Sequence, residues 1–295
     1  GPTVEGRGDG MSAQVKLAPL SPDNGAGPRP EAAKPLWRRV RSGYLFPIIL
    51  LALWVIIVPN LPTEKIPTPG KVLTFMWDEI RVNTVAPKSV YYSFAISLAR
   101  LAVGVVISMT IGMIVGVASG LSRRFDAFAR DYVVASLVLP GLIVALVAAL
   151  WFGFTFLTPV VTVVFATFAY TASNIAEGVR DVPRDLIFMA DSFGVNRSAA
   201  LRHVTLPSLV PFLFVSLRYT ISLGWKALTI AEIFGADQGA GWMLRFWYDA
   251  NRIQGLIGYT FFFAIVTVLV DRVLFEYLAR RLLAWRGDVA GAFQR

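Results

Sequence analysis

The sequence predicts an all-α membrane protein with six transmembrane helices per chain. Its 295 residues are 56% hydrophobic and 16% charged, with a mean hydropathy of +0.60, whereas soluble globular chains are about 45–50% apolar and about 25% charged. Charge-free runs are long enough to span: Ser42 to Thr63, Leu101 to Ser122, Tyr132 to Ala176 and Ile253 to Val270 approach or exceed the ~20 residues that cross a hydrocarbon core as helix. The third run is too long for one crossing and divides at Gly153 to Pro159, where glycine and proline punctuate the apolar pattern. Val204 to Ala236, interrupted only by Arg218, Lys226 and Glu232, completes the six.

Residues 1–10 precede Met11 and read as a cloning remnant, and residues 11–43 form a tail rich in Pro, Ala and Gly without apolar periodicity, expected to be largely disordered. The first span, 44–59, is too long and too late in the chain for a cleaved signal and reads as a retained anchor. Residues 60–88 form an outside turn, stiffened by Pro62, Pro67 and Pro69, and then a surface helix over Lys71 to Arg81 with Val72, Phe75, Met76 and Ile80 on one side. A five-helix core occupies 89–286, followed by a short tail, 287–295. In its first helix Gly104, Gly112, Gly116 and Gly120 recur at multiples of four, which makes a face smooth enough for close helix packing. In the next, Pro140 predicts a kink turned towards protein or a pathway instead of lipid.

Charge sets the orientation. With a cytoplasmic N-terminus, the inside loops hold Arg38, Arg39, Arg41, Arg123, Arg124, Arg180, Arg184, Arg197, Arg202, Arg280 and Arg281 among their cations, and the outside loops hold fewer. This positive-inside bias places both termini in the cytoplasm. The net charge of +9 is spread among loops and forms no basic stripe with interleaved aromatics, so nucleic acid is not an expected partner. With no cysteine and His203 as the single histidine, no metal site is expected.

The same bias leaves a polar segment, 177–206, on the cytoplasmic side, far longer than an ordinary helix–helix connection. Pro183 suits the first turn of a short helix, with Asp185 near its positive end. Leu186, Ala190 and Phe193 lie at i, i+4 and i+7 and form one apolar stripe, and Gly194 stands where a left-handed residue ends a helix. A second short helix is expected over Arg197 to His203, with Pro207 opening the next span. Such a pair forms a knob able to fill a groove in a soluble protein; a helix lying on lipid is the alternative.

The spacing of this segment resembles the EAA loop of ABC importer permeases: Glu-Ala-Ala, three residues, Gly, nine residues, Ile, one residue, Leu-Pro. The matching positions are Phe188, Met189, Ala190, Gly194, Val204, Leu206 and Pro207. Ala190, Gly194, Leu206 and Pro207 match, Val204 is conservative, and Phe188 and Met189 depart, so contact at Phe188 is expected to be more apolar than the family's glutamate allows. Pro67-Thr68-Pro69-Gly70-Lys71-Val72, Ser97-Leu98-Ala99-Arg100, Gly120-Leu121-Ser122-Arg123, Leu150-Trp151-Phe152-Gly153 and Ala231-Glu232-Ile233-Phe234-Gly235-Ala236 are similar to the membrane subunits of sulfonate, taurine and nitrate importers. The resemblance implies a type I ABC importer permease fold in a bacterial inner membrane. It further implies a homodimer on two cytoplasmic ATPase subunits that hold ATP and Mg, fed by a periplasmic substrate-binding protein. Leu186 and Phe193 would join the matched positions in contacting the ATPase.

Ionisable residues at membrane depth usually face a bundle interior or a watery cavity. Arg218, Asp271 and Arg272 read as residues near the cytoplasmic level that snorkel or pair, and Arg100 as a partner for an outer carboxylate. Lys226 and Glu232 lie six residues apart, about 240° round a helix, so each needs a partner from elsewhere. One reading places Lys226, with Asn174 and Trp225 nearby, along an anion pathway, and Glu232 towards an outer gate; the other makes the charges interhelical ion pairs. Enzymatic motifs are missing: Gly70-Lys71 continues into Val72 and lacks the P-loop pattern, and neither Gly-x-Ser-x-Gly nor His-Glu-x-x-His occurs. No catalytic residue is therefore assigned and no cofactor is expected on this chain. An ion-coupled secondary transporter is the alternative function, although inverted repeats and discontinuous helices are not visible in the sequence.

Overall fold

The computed structural model describes residue 49 and residues 52–60, 66–82 and 86–282. Two compact units divide the chain, Gly1–Leu53 and Trp54–Arg295, and the second carries the bundle. Its helices are α1 (Pro69–Ile80), α2 (Val90–Leu121), α3 (Arg123–Val138), α4 (Gly141–Phe152), α5 (Leu157–Asp181), α6 (Arg184–Ser192), α7 (Arg197–Ala200), α8 (Leu206–Ser208), α9 (Val210–Gly235), α10 (Ala240–Asp249) and α11 (Ile253–Leu282). Among the described residues three stretches are long and apolar enough to cross a bilayer, and the number rises to five if each of two bent helix pairs is one span. Of the predicted span at 44–59, residues 49 and 52–59 are described, helical as far as 57 and then a 3-10 turn at Val58–Asn60, whereas residues 1–43 and 287–295 lie outside the described residues.

The centre of the unit is α5, packed along α2 on one side and α9 on the other. Glycine spacing makes the α2–α5 contact possible. A methyl group on Gly104 would fall 2.7 Å from Val163 Cγ1, on Gly116 2.6 Å from the Ala172 carbonyl oxygen, and on Gly120 2.5 Å from Val179 Cβ. Ser108 occupies the missing step of this four-residue series, and its hydroxyl lies 2.7 Å from that of Thr167, which satisfies both groups inside the contact. The face predicted to be smooth is therefore the one that meets α5.

Two boundaries differ from expectation. Helix α2 begins at Val90, one turn past Pro87, and runs straight through Arg100, where the charge-free run had placed its start at Leu101. Arg100 is tolerated because it is completely buried against a carboxylate. At Pro140 the chain does not kink within one helix. Instead α3 and α4 meet at 99°. Proline forces the preceding residue out of the helical region, and Leu139 sits at φ −64°, ψ 125°, which ends α3 before the Pro140 carbonyl accepts the first bonds of α4 from Ile143 and Val144.

The surface helix forms over Pro69–Ile80 with Val72 buried and Phe75 and Met76 packed against the core. The fourth inward residue is Glu79, not Ile80, which is 39% exposed. A step of three from Met76 keeps Glu79 on the inner face, and the Tyr259 hydroxyl lies 3.4 Å from its carboxylate.

Candidate functional site

The polar segment that follows α5 folds as two short helices about a glycine. Pro183 caps α6 and Asp185 lies in its first turn. At the other end Gly194 takes φ +69°, the Val195 N–H donates to the Ala190 carbonyl at 2.9 Å, and the Gly194 N–H donates to the Asp191 carbonyl at 3.0 Å. These two bonds make a Schellman cap, the termination that a left-handed glycine permits. The second helix runs from α7 through a π turn, Leu201–Thr205, into α8, and meets α9 at 56°. Pro207 lies within α8 and not at the start of the span; α9 opens at Val210-Pro211, because Leu209 breaks the helix between the two prolines.

The nine residues singled out in this segment fall into two groups. Leu186, Phe188, Met189 and Phe193 are exposed, Phe193 by 80%, and with Ile187 they give α6 an apolar outer surface. Ala190 and Val204 are half-buried, and Gly194 and Pro207 are at the surface. Leu206 points inward, packing on the cluster of Ile175, Val179 and Leu209. One group forms the knob and Leu206 roots it in the bundle.

On the bundle itself, the four residues expected along a pathway are not brought together. Trp225 lies in the core, edge-on to Phe263 at 5.5 Å. Asn174 ties α5 to α9 through its amide, which donates to the Phe212 carbonyl at 2.9 Å and to the Ser216 hydroxyl at 2.7 Å. Lys226 is exposed, about 100° round α9 from the buried Trp225, together with Tyr219 and Ser222. The exposed residues of this membrane helix include Arg218, Tyr219, Ser222 and Lys226 beside Val215 and Leu223, whereas its buried face is mostly apolar.

Glu232 belongs to that buried face and lies in an ion pair with Arg100, Oε1 to Nη1 at 2.9 Å, both side chains fully buried. Its carboxylate accepts from the Ser97 hydroxyl at 2.7 Å and from the Gly241 N–H at 2.9 Å. Ser97 Oγ in turn accepts from the Ala240 N–H at 2.8 Å, and Arg100 Nη1 donates to the Gln238 carbonyl at 2.6 Å. A side chain at Gly239, φ +118°, would run into Glu232 Oε1. Sequence reasoning had Arg100 and Glu232 but missed Ser97, Gln238 and this turn; the available signal was Gly239-Ala240-Gly241, two glycines seven and nine residues after a buried carboxylate. The knot fastens α2, the end of α9 and the start of α10 to one another.

Comparison with known proteins gives the family. Residues 108–284 match the family described as binding-protein-dependent transport system inner membrane component. The putative aliphatic sulfonates transport permease protein SsuC of Bacillus subtilis is 25% identical over 253 residues, covering 85% of this chain and 89% of that protein. The taurine transport system permease protein TauC of Escherichia coli is 26% identical over 257 residues, 86% of this chain and 93% of that protein. A bicarbonate transport system permease protein, CmpB of Synechococcus elongatus, is 29% identical over 275 residues, 87% of this chain and 95% of its own. With more than half its length matched, and with apolar membrane-length helices surrounding a polar helical insert, the chain belongs to the binding-protein-dependent inner-membrane permeases of ABC importers.

Proposed function

We propose that this chain forms the translocation pathway for a small oxyanion and that ATP hydrolysis in a partner subunit drives it. The observation that carries the reading is the α6 knob, whose Leu186, Phe188, Met189 and Phe193 are exposed apolar side chains on a short helix held at a fixed angle by its Schellman cap. Exposed apolar clusters of this kind mark binding surfaces. An amphipathic helix seated in a groove of a soluble protein is the matching mode. The occupant is a cytoplasmic ATPase holding ATP and Mg, two per transporter, each docked on one copy of a homodimer. A periplasmic binding protein delivers the solute, and both termini are cytoplasmic, as the positive-inside bias indicates.

The solute class follows from chemistry shared by the relatives' names, which include sulfonates, taurine, bicarbonate and nitrate. Each offers a small oxygen-rich head. A lysine in mid-helix is expensive against lipid, so the open face carrying Lys226 borders water or the second copy, and its ammonium attracts such an anion. Uptake of nitrate, taurine and an alkanesulfonate by the reconstituted transporter tests this: Lys226→Ala should cut uptake about tenfold while assembly and basal ATPase activity persist. Unchanged uptake by a correctly assembled variant would remove Lys226 from the pathway.

A further inference from the structure

Polar side chains on the open face of α9 continue onto α5. Tyr219 is 49% exposed, and its ring stands 4.8 Å from that of Tyr170 at a 44° tilt. The two helices run antiparallel, and both tyrosines lie at similar depth: nine residues from the start of α9 and eleven from the end of α5, so about 15 Å from the cytoplasmic ends at 1.5 Å per residue. Lys226 lies seven residues further along α9, about 10 Å towards the other side, on the same face. Below the pair, Ser173 and Glu177 follow at i+3 and i+7 from Tyr170, with Glu177 exposed near the cytoplasmic end of α5. A track thus runs from a cation, past two phenols, to a carboxylate.

We infer that Tyr170 and Tyr219 form the constriction that closes the pathway on the cytoplasmic side of Lys226. The inference rests on the reading of the open α9 face as the pathway. The two adjacent rings are bulky groups at the outer edge of the α5–α9 seam, whose interior is closed by the Thr171–Thr220 and Asn174–Ser216 hydrogen bonds, so they narrow the track where it runs along that edge. Their O–H groups donate to an oxyanion, which lowers the cost of stripping its water at the narrowest point. Beyond them Glu177 shares a cleft with Asp126, Arg130 and Arg180, where two carboxylates balance two guanidiniums, so a solute that passes the rings meets no excess of positive charge to hold it at the exit. Lys226 attracts and the tyrosines gate.

The absence of native cysteine makes single-thiol labelling direct. In the intact transporter reconstituted into vesicles, Lys226→Cys should react with a charged, membrane-impermeant thiol reagent when it is presented on both sides. Tyr219→Ala and Tyr170→Ala should leak nitrate and taurine at least tenfold faster than the parent without ATP, while Tyr219→Phe stays sealed. If the thiol introduced by Lys226→Cys does not react, the pathway reading fails and this inference with it. If that thiol reacts but the alanine variants remain tight and fully coupled, the constriction alone is overturned. Should the alanine variants not assemble, Tyr219→Cys provides the decision: a bulky thiol adduct there should block uptake, and undiminished uptake after complete labelling overturns the proposal.

Discussion

The knob at Leu186–Gly194 and the knot around Arg100 and Glu232 solve opposite problems. The knob leaves large apolar side chains in the open on a helix of nine residues. The knot hides two charges completely and surrounds them with a hydroxyl, backbone N–H groups and a carbonyl. The first arrangement makes sense only if something covers it. The second is complete within one chain, apart from Arg100 Nε and Nη2, which have no hydrogen-bond partner among the described residues; Phe156 lies beside that guanidinium at 5.4 Å. On the proposed function, that contrast separates the part of the chain that holds its shape from the part that docks the ATPase.

Breaking the knot should give the largest effect. Removing one partner of a buried ion pair leaves an uncompensated charge, at about 3–5 kcal/mol. Arg100→Ala or Glu232→Ala should therefore abolish monodisperse extraction in mild detergent, read by size-exclusion profile and thermal unfolding. Replacing both, Arg100→Met with Glu232→Leu, should recover most of the lost stability, because no bare charge remains. Equal damage in the double variant would show that the pair does more than neutralise itself. Gly239→Ala should resemble the single charge losses, since the new methyl collides with the Glu232 carboxylate and the backbone is left-handed there.

The knob should behave the other way. Phe193→Asp alters a side chain that is 80% exposed, so thermal unfolding of the isolated chain should move little. Retention of the ATPase during purification should nevertheless fall, since aromatic anchors in interfaces carry about 2 kcal/mol or more when truncated. A loss of fold in this variant would mean that the ring packs against its own chain. The smallest effect belongs to Gly194→Ala, where a left-handed residue with a side chain is disfavoured by roughly 1–2 kcal/mol. A Cβ there meets nothing within 4 Å, so only the cap is strained, and the expected outcome is partial uncoupling of hydrolysis from uptake with assembly intact.

The same contrast explains how much could be read in advance. The knob's geometry is local: Pro183, the stripe of apolar residues and Gly194 stand within twelve residues, so capping rules and period alone place its ends. The glycine face of α2 is similarly local, and only its partner, α5, had to be learned. The knot is not local. Ser97 and Arg100 meet Glu232, Gln238 and Ala240 across more than 130 residues, and no period in the chain announces that pairing. Pro140 shows a third case. Its effect on Leu139 was predictable, but the size of the bend, 99°, depends on how α3 and α4 each pack against α5. Ile80 was misplaced for a simpler reason: hydrophobicity favoured it for the inner side, whereas helical geometry puts Glu79 there.

Lys226 and Glu232 illustrate the limit of reading charges by type. Both are ionisable residues within one helix, and their offset of about 240° was visible from their spacing. Their fates differ because, among the described residues, only Glu232 of the two forms an ion pair with an opposite charge from another helix. Glu232 met Arg100; Lys226 remained on the open face with Tyr219 and Ser222. The tyrosine pair escaped notice because aromatic residues in an apolar span are usually packing.

The most direct test of the account is quantitative co-purification of the ATPase with the tagged chain from its native membrane in mild detergent, comparing the parent with Phe193→Asp. The account predicts one ATPase subunit per parent chain, stimulated hydrolysis in the presence of solute and binding protein, and at least tenfold less ATPase retained by the variant at unchanged chain stability. Full retention by the Phe193→Asp chain, or solute uptake by the purified chain without nucleotide, would contradict it.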